Sequence, residues 1–163
     1  MAGTYDADVA PTYSFRDGWA VPGEPARVHA VLVDLEHYAL WWPQVVAVAK
    51  VTEDDARVLC RSTLPYTLDL WLHAERREAD LLETSVTGDL RGTVRFRLSA
   101  APDGTRLHLE QDVDVVGRLA GAASYLARPV LTWNHDRMMA GCVTGLRRVL
   151  QTGDHPALQR GPT

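Results

Sequence analysis

The sequence is poor in cysteine, has no excess of positive charge and contains no long apolar run. Its two cysteines, Cys60 and Cys142, are too few for a disulfide scaffold and lack the spacing of a metal site. The 17 basic and 21 acidic side chains give a net charge of −4, which argues against broad nucleic-acid binding, because that needs a basic surface. No apolar stretch approaches the roughly 20 residues of a membrane span. We therefore expect no nucleic-acid partner and no stable insertion into a membrane.

Several familiar signatures are also missing. Residues 1–6 have neither the basic region nor the apolar region of a signal peptide, which favours a cytoplasmic location. The chain has no Gly-x-Ser-x-Gly elbow, no P-loop and no glycine-rich dinucleotide fingerprint. Its six histidines are dispersed along the chain without metal-ligand spacing. The sequence thus predicts neither a bound metal nor a cofactor.

What is present is typical of one globular domain. A chain of 163 residues with 46% hydrophobic and 23% charged residues is long enough to bury a substantial core. Residues 1–11 carry no periodicity and predict a flexible arm. Residues 153–163, with two prolines and Gly161, predict a flexible tail. The domain itself is predicted to span residues 12–152.

Alternating and helical patterns divide this domain into elements. Residues 12–21 alternate as a strand, Pro25 opens a short helix, and a second short helix over 36–42 is stopped by Pro43. The later strands are predicted at 45–52, 56–63, 66–76, 81–87, 92–100 and 106–116. Residues 119–128 look helical, and a long helix covers 130–150. One face of that helix carries Leu131, His135, Met138, Cys142, Leu146 and Val149.

This order predicts an α+β fold in which a curved antiparallel sheet of seven strands wraps around the long C-terminal helix. The turns between the later strands are short, which favours antiparallel neighbours. The last strand alternates between an apolar and a charged face over residues 106–115. Its apolar face must be covered, and the long helix is the element available to cover it.

Four segments carry a family resemblance over about residues 12–152. They are Glu24–Val28 (EPARV), Tyr38–Val45 (YALWWPQV), Gly88–Gly92 (GDLRG), and Arg128–Pro129 followed by Trp133–Asp136 (WNHD). With them the sequence resembles the START-like (SRPBCC) superfamily, which includes the birch-pollen allergen, and within it the bacterial polyketide cyclase/dehydrase proteins. The resemblance implies the helix-grip fold. It also implies a cavity between helix and sheet, in which superfamily members bind lipids, sterols, hormones or polyketides and some catalyse cyclisation and dehydration.

The residues predict such a cavity independently, because a long helix laid across a curved sheet need not fill the space beneath it. Ligand sites are typically apolar with a few converging polar groups. The predicted apolar walls are Leu70, Leu72, Phe96, Leu98, Leu109, Val113, Met138 and Cys142. Trp42, just before Pro43, is predicted to line the entrance, and Tyr66, Gln111 and His135 are the predicted polar contacts.

Two of the inward polar positions leave alternatives open. His135 is either an acid or base that faces the cavity or a histidine tied to a nearby carbonyl group. Asp17 either sits at the cavity mouth or is turned outward by a bulge near Gly18, because an unpaired carboxylate against apolar cover costs several kcal/mol.

Three functions remain as hypotheses. The first is binding of a small, largely hydrophobic molecule, either lipid-like or polyketide-like. The second is a polyketide cyclase or dehydratase that works by acid–base catalysis without metal, with His135 as acid or base, Tyr66 as a donor and Gln111 as an orienting group. The third is a regulatory or interaction protein that uses Trp71, His73 and Trp133 on its outer surface, where a homodimer would form.

Overall fold

The computed structural model describes residues 13–116 and 128–160. The strands are β1 (Tyr13–Val21), β2 (Val45–Lys50), β3 (Asp55–Arg61), β4 (Thr67–Arg77), β5 (Leu81–Gly88), β6 (Leu90–Ala101) and β7 (Gly104–Val115). The helices are α1 (Pro25–Val33), a 3₁₀ turn (Leu35–His37), α2 (Tyr38–Trp41), α3 (Arg128–Thr152) and α4 (Pro156–Gln159). The arm predicted over 1–11 and the helix predicted over 119–128 lie outside the described residues, apart from Arg128, which belongs to α3.

The strands form one antiparallel sheet in the order β1-β7-β6-β5-β4-β3-β2. Neighbours along the chain from β2 to β7 are hairpin partners, and β1 closes onto β7. Register shifts between Val45 and Ala47 and between Ala74 and Arg76 mark bulges, which bend strands and increase their twist. This architecture confirms the predicted fold class, with seven strands and a long C-terminal helix.

Helix α3 lies with its apolar stripe towards the sheet, as its periodicity predicts. Cys142, Leu146 and Val149 are buried, whereas Arg147 and Arg148 are exposed. The helix packs against β1, α1 and α2. None of the helices that the structure describes is long and apolar enough to cross a membrane.

Two parts of the fold differ from the sequence-based expectation. The single short helix expected over 36–42 is instead a 3₁₀ turn followed by a four-residue α-helix. Gly153 follows α3 in a left-handed conformation, but the chain does not fray there. His155 is only 1% exposed and Leu158 packs against the core, so a flexible tail does not describe residues 153–160.

Candidate functional site: an apolar cavity with a polar corner

A cavity of about 240 Å³ lies between α3, the helices after β1 and the inner face of the sheet. Its walls come from all seven strands as well as from α1, α2 and α3. Alternation along β4 to β7 turns every second side chain towards this space. For scale, a cavity of roughly 150 Å³ in a protein core takes up one benzene ring, so the space here suits a somewhat larger molecule.

Most of the side chains predicted to line the cavity do so. The structure places the following predicted residues on its walls: Trp42, Tyr66, Leu70, Leu72, Phe96, Leu109, Gln111, Val113, His135 and Met138. Their binding of a ligand stays a prediction.

Leu98 and Cys142 were expected on the cavity walls but belong to the solid core, so their assignment to the lining is wrong. Leu98 is 4% exposed and Cys142 is 0% exposed. Helix α1 packs against β6 and β7 and fills this end of the space. Complete burial raises the pKa of the Cys142 thiol, which keeps it protonated.

The sequence analysis did not assign several residues that line the cavity. Tyr13 and Phe15 of β1 line the cavity together with Leu131 of α3. The alternation of β1 and the stripe of α3 had already placed these side chains inward. Cys60 also lines the cavity, and burial raises the pKa of its thiol to about 11.

His135 forms the polar corner of the cavity. Its ring stacks on Phe15 with 3.5 Å between ring centroids, and its Nε2 lies 3.3 Å from Oε1 of Gln111. The carbonyl group near His135 is therefore that of the Gln111 side chain on β7 and not one at the start of α3. Burial lowers the pKa of His135, against the opposing influence of Asp136 and Asp17, so the imidazole is largely neutral at pH 7.

Asp17 lies beside this corner. The β1–β7 register runs without a shift from Tyr13 to Val21, so the bulge that would turn Asp17 outward is not there. The carboxylate stays on the inner face of the sheet, half-buried. Carboxylate oxygens of Asp17 and Asp136 and a ring nitrogen of His135 lie within 4.8 Å of one another. Sequence spacing could not reveal this group, because Asp17 is distant in sequence from the other two.

Asn134 was also missed, although it lies in the segment that carries the resemblance. Its Oδ1 accepts hydrogen bonds from the Ser62 hydroxyl at 2.8 Å and from the Thr63 backbone N–H at 3.0 Å. Trp42 donates its indole N–H to the Met138 carbonyl at 3.0 Å. These bonds fix α3 to the β3–β4 loop and to the end of α2, and thereby position His135.

The outer aromatic side chains are exposed as predicted, Trp71 by 44% and Trp133 by 48%. Each lies close to an arginine: Arg57 at 5.9 Å from the Trp71 ring and Arg137 at 5.9 Å from the Trp133 ring. They belong to different elements, one to the sheet and one to α3. A homodimer through them stays a prediction.

Several solved structures share this architecture. A START superfamily protein from Mycobacterium smegmatis superposes with a TM-score of 0.68 at 15% identity, over 85% of this chain and 97% of that one. The Zhui aromatase/cyclase from Streptomyces sp. R1128 gives a TM-score of 0.70 at 15% identity, over 89% and 97%. A conserved protein from Geobacillus kaustophilus gives 0.73 at 11% identity, over 88% and 98%. At these identities the likeness establishes the fold alone.

The seven-stranded sheet around a long C-terminal helix is thus the helix-grip fold that these structures share. The model of the family described as polyketide cyclase/dehydrase and lipid transport matches residues 15–151, and the chain belongs to that family. A search among curated proteins finds no significant match.

Proposed function

We propose that this protein binds a small, largely hydrophobic molecule, lipid-like or polyketide-like, in the cavity beneath α3. The observation that carries the proposal is a largely apolar space of about 240 Å³ with a polar corner where His135 and Gln111 meet. Removing apolar ligand surface from water contributes about 25 cal/mol per Å², so the walls supply affinity while the corner fixes orientation. The family description, which includes lipid transport, supports the same function.

The first test is native mass spectrometry of the purified protein. A co-purified small molecule that is lost on mild denaturation would support the proposal. The second test is titration with N-phenyl-1-naphthylamine, a neutral apolar dye whose fluorescence rises on leaving water. A protein with no retained molecule and no saturable dye binding would contradict the proposal.

Filling the cavity should abolish binding. Val94 lies between Thr84 and Gln111 in the sheet and lines the cavity, so Val94→Trp places an indole in the ligand space. We expect dye affinity to fall at least about tenfold, equivalent to about 1.4 kcal/mol. Val46→Trp is the matched control, since Val46 is 48% exposed on β2. Equal affinities of the two folded variants would place the binding site elsewhere.

A second candidate function is a cyclase or dehydratase, favoured because His135 and Tyr66 line the same cavity. A neutral imidazole can remove an acidic C–H proton next to a carbonyl group, while a hydroxyl donor protonates the leaving oxygen. Within the described residues, however, Tyr66 makes no side-chain hydrogen bond to His135 or Gln111. A carrier needs only shape and apolar walls, which is why binding is the leading proposal.

His135→Gln distinguishes the two functions. A binder should lose affinity by about 0.5–1.5 kcal/mol, the net value of a hydrogen bond. An enzyme with His135 as acid or base should lose turnover by about 10²–10⁴-fold while its affinity largely survives. His108→Gln is the control, because His108 is exposed on the opposite face of the sheet. Unchanged affinity and unchanged turnover would remove His135 from the site.

A further inference from the structure

The polar corner of the cavity carries negative charge. Carboxylate oxygens of Asp17 and Asp136 lie within 4.8 Å of each other and of a ring nitrogen of His135, although Asp17 belongs to β1 and the other two residues to α3. The His135 ring forms part of the cavity wall, whereas Asp17 and Asp136 are not among the described lining residues and the Asp136 side chain is 63% exposed. A head group that contacts His135 is therefore separated from the two carboxylates by little more than the imidazole ring.

Among the residues that the structure describes, no arginine or lysine forms an ion pair with Asp17 or Asp136. Burial keeps the imidazole largely neutral, and the charges that act on it are those of Asp17 and Asp136. The guanidinium of Arg128 lies over the Tyr13 ring at 4.8 Å, and Arg128 is seven residues from His135, about 10 Å along the helix. Arg137, also on α3, has its guanidinium 5.9 Å from the ring of exposed Trp133.

Apart from Asp17, the charged side chains of β1 and β7 near this corner lie on the outer face of the sheet. Arg16 pairs with Asp112 at 2.9 Å on the outer face, and Glu110 pairs there with Arg97 at 3.2 Å. His108 is exposed on the same outer face, opposite Gly18. Counted over the described residues of β1, β7 and α3, the inner side of the corner therefore has an excess of negative charge.

The other described residues of the lining provide few polar groups that could bind a ligand head group. Asn134 is used in bonds to Ser62 and Thr63, and the Tyr38 hydroxyl donates to the Leu32 carbonyl at 2.5 Å. Tyr66 and Thr84 present neutral hydroxyls. A charged head group placed among the apolar walls would be desolvated without a partner, which is costly.

We propose that this cavity selects ligands with an apolar body and a cationic, ammonium-type head group, held at the corner formed by Gln111 and His135 beside the carboxylates of Asp17 and Asp136, and that it selects against carboxylate head groups. The inference rests on the proposed ligand-binding function and adds to it the charge of the ligand. An ammonium donates to the Gln111 amide oxygen and is attracted through space by the Asp17 and Asp136 carboxylates behind His135. A carboxylate in the same place meets two like charges.

The test compares three naphthalene derivatives of the same size: 1-naphthylmethylamine, 1-naphthylmethanol and 1-naphthoate. Affinities are measured by isothermal titration calorimetry at pH 7.5, with EDTA present so that a metal ion does not contribute. We expect the ammonium to bind at least about tenfold more tightly than the carboxylate, with the alcohol between them. Asp17→Asn should reduce the ratio of ammonium to carboxylate affinity at least about threefold.

Asp103→Asn is the matched control, because it removes the same charge from an exposed turn at the β6–β7 hairpin. Its ratio should equal that of the unsubstituted protein. Should Asp17→Asn fail to fold, Asp136→Asn removes the other carboxylate of the corner. This substitution should be tolerated, because the Asp136 side chain is 63% exposed. Binding of the alcohol without preference for the ammonium overturns this inference and leaves the proposed function standing. If none of the three compounds binds while N-phenyl-1-naphthylamine does, this inference alone is overturned; if the dye also fails to bind and no molecule is retained, the proposed function is overturned as well.

Discussion

Replacing Leu146 with alanine should lower the free energy of unfolding by about 2–5 kcal/mol. Leu146 is 0% exposed and lies in the stripe of α3 that packs into the core with Cys142 and Val149. The substitution loses the transfer free energy of the removed methyl groups and leaves a cavity that the neighbours fill only in part. Urea unfolding monitored by circular dichroism measures the difference.

Thr144→Ala on the same helix is the control for that experiment. Thr144 is exposed, so its truncation should change the free energy of unfolding by no more than about 0.5 kcal/mol. A Leu146→Ala loss within that same range would mean that α3 does not present this stripe to the sheet.

The fold could be predicted from the sequence wherever one face of an element is buried and the other is exposed to solvent. Strand β7 shows this most clearly, because Leu107, Leu109 and Val113 are buried while Arg106 and His108 between them are exposed. The same reasoning fixed the phase of α3. Periodicity works at such positions because the cost of misplacing a whole face is large.

The candidate site was only partly accessible, since alternation tells which face a side chain is on but not what covers it. Leu98 and Phe96 share the inner face of β6, yet Phe96 lines the cavity and Leu98 is packed in the core. The difference lies in where α1 crosses the sheet. A helix position relative to strands that are distant in sequence is set by packing and carries no local signal.

The corner of the cavity was the least predictable part. Asp17 and His135 are more than a hundred positions apart in the sequence, and their approach depends on β1 pairing with β7 while α3 packs on β1. The glycine at position 18 suggested a bulge that the structure does not have. Each residue was recognised as unusual by itself, but the negative charge that they share is a property of the folded chain.

A methyl group at Gly145 should be among the most damaging single changes in the protein. A Cβ at this position would overlap the backbone carbonyl oxygen of Trp41, because α3 and the end of α2 are in direct contact there. Backbone cannot be displaced cheaply, so α3 and α2 must separate. Trp42, which bonds to the Met138 carbonyl and lines the cavity, would move with them.

Gly141 provides a matched comparison one turn earlier on the same helix. A Cβ there would meet the side-chain amide of Gln44, the far end of a flexible side chain that can move away. Both substitutions should stabilise α3 by about 1 kcal/mol through helix propensity. The difference between their free energies of unfolding therefore reports the clash with the Trp41 carbonyl. We expect Gly145→Ala to be less stable than Gly141→Ala by at least about 2 kcal/mol in urea unfolding, because overpacking against backbone costs about 1–3 kcal/mol or more. Gly145→Ala should also bind N-phenyl-1-naphthylamine more weakly, since the wall formed by Trp42 is displaced. Equal stability of the two variants would show that α3 does not rest on the Trp41 carbonyl, and the cavity wall would then need another support.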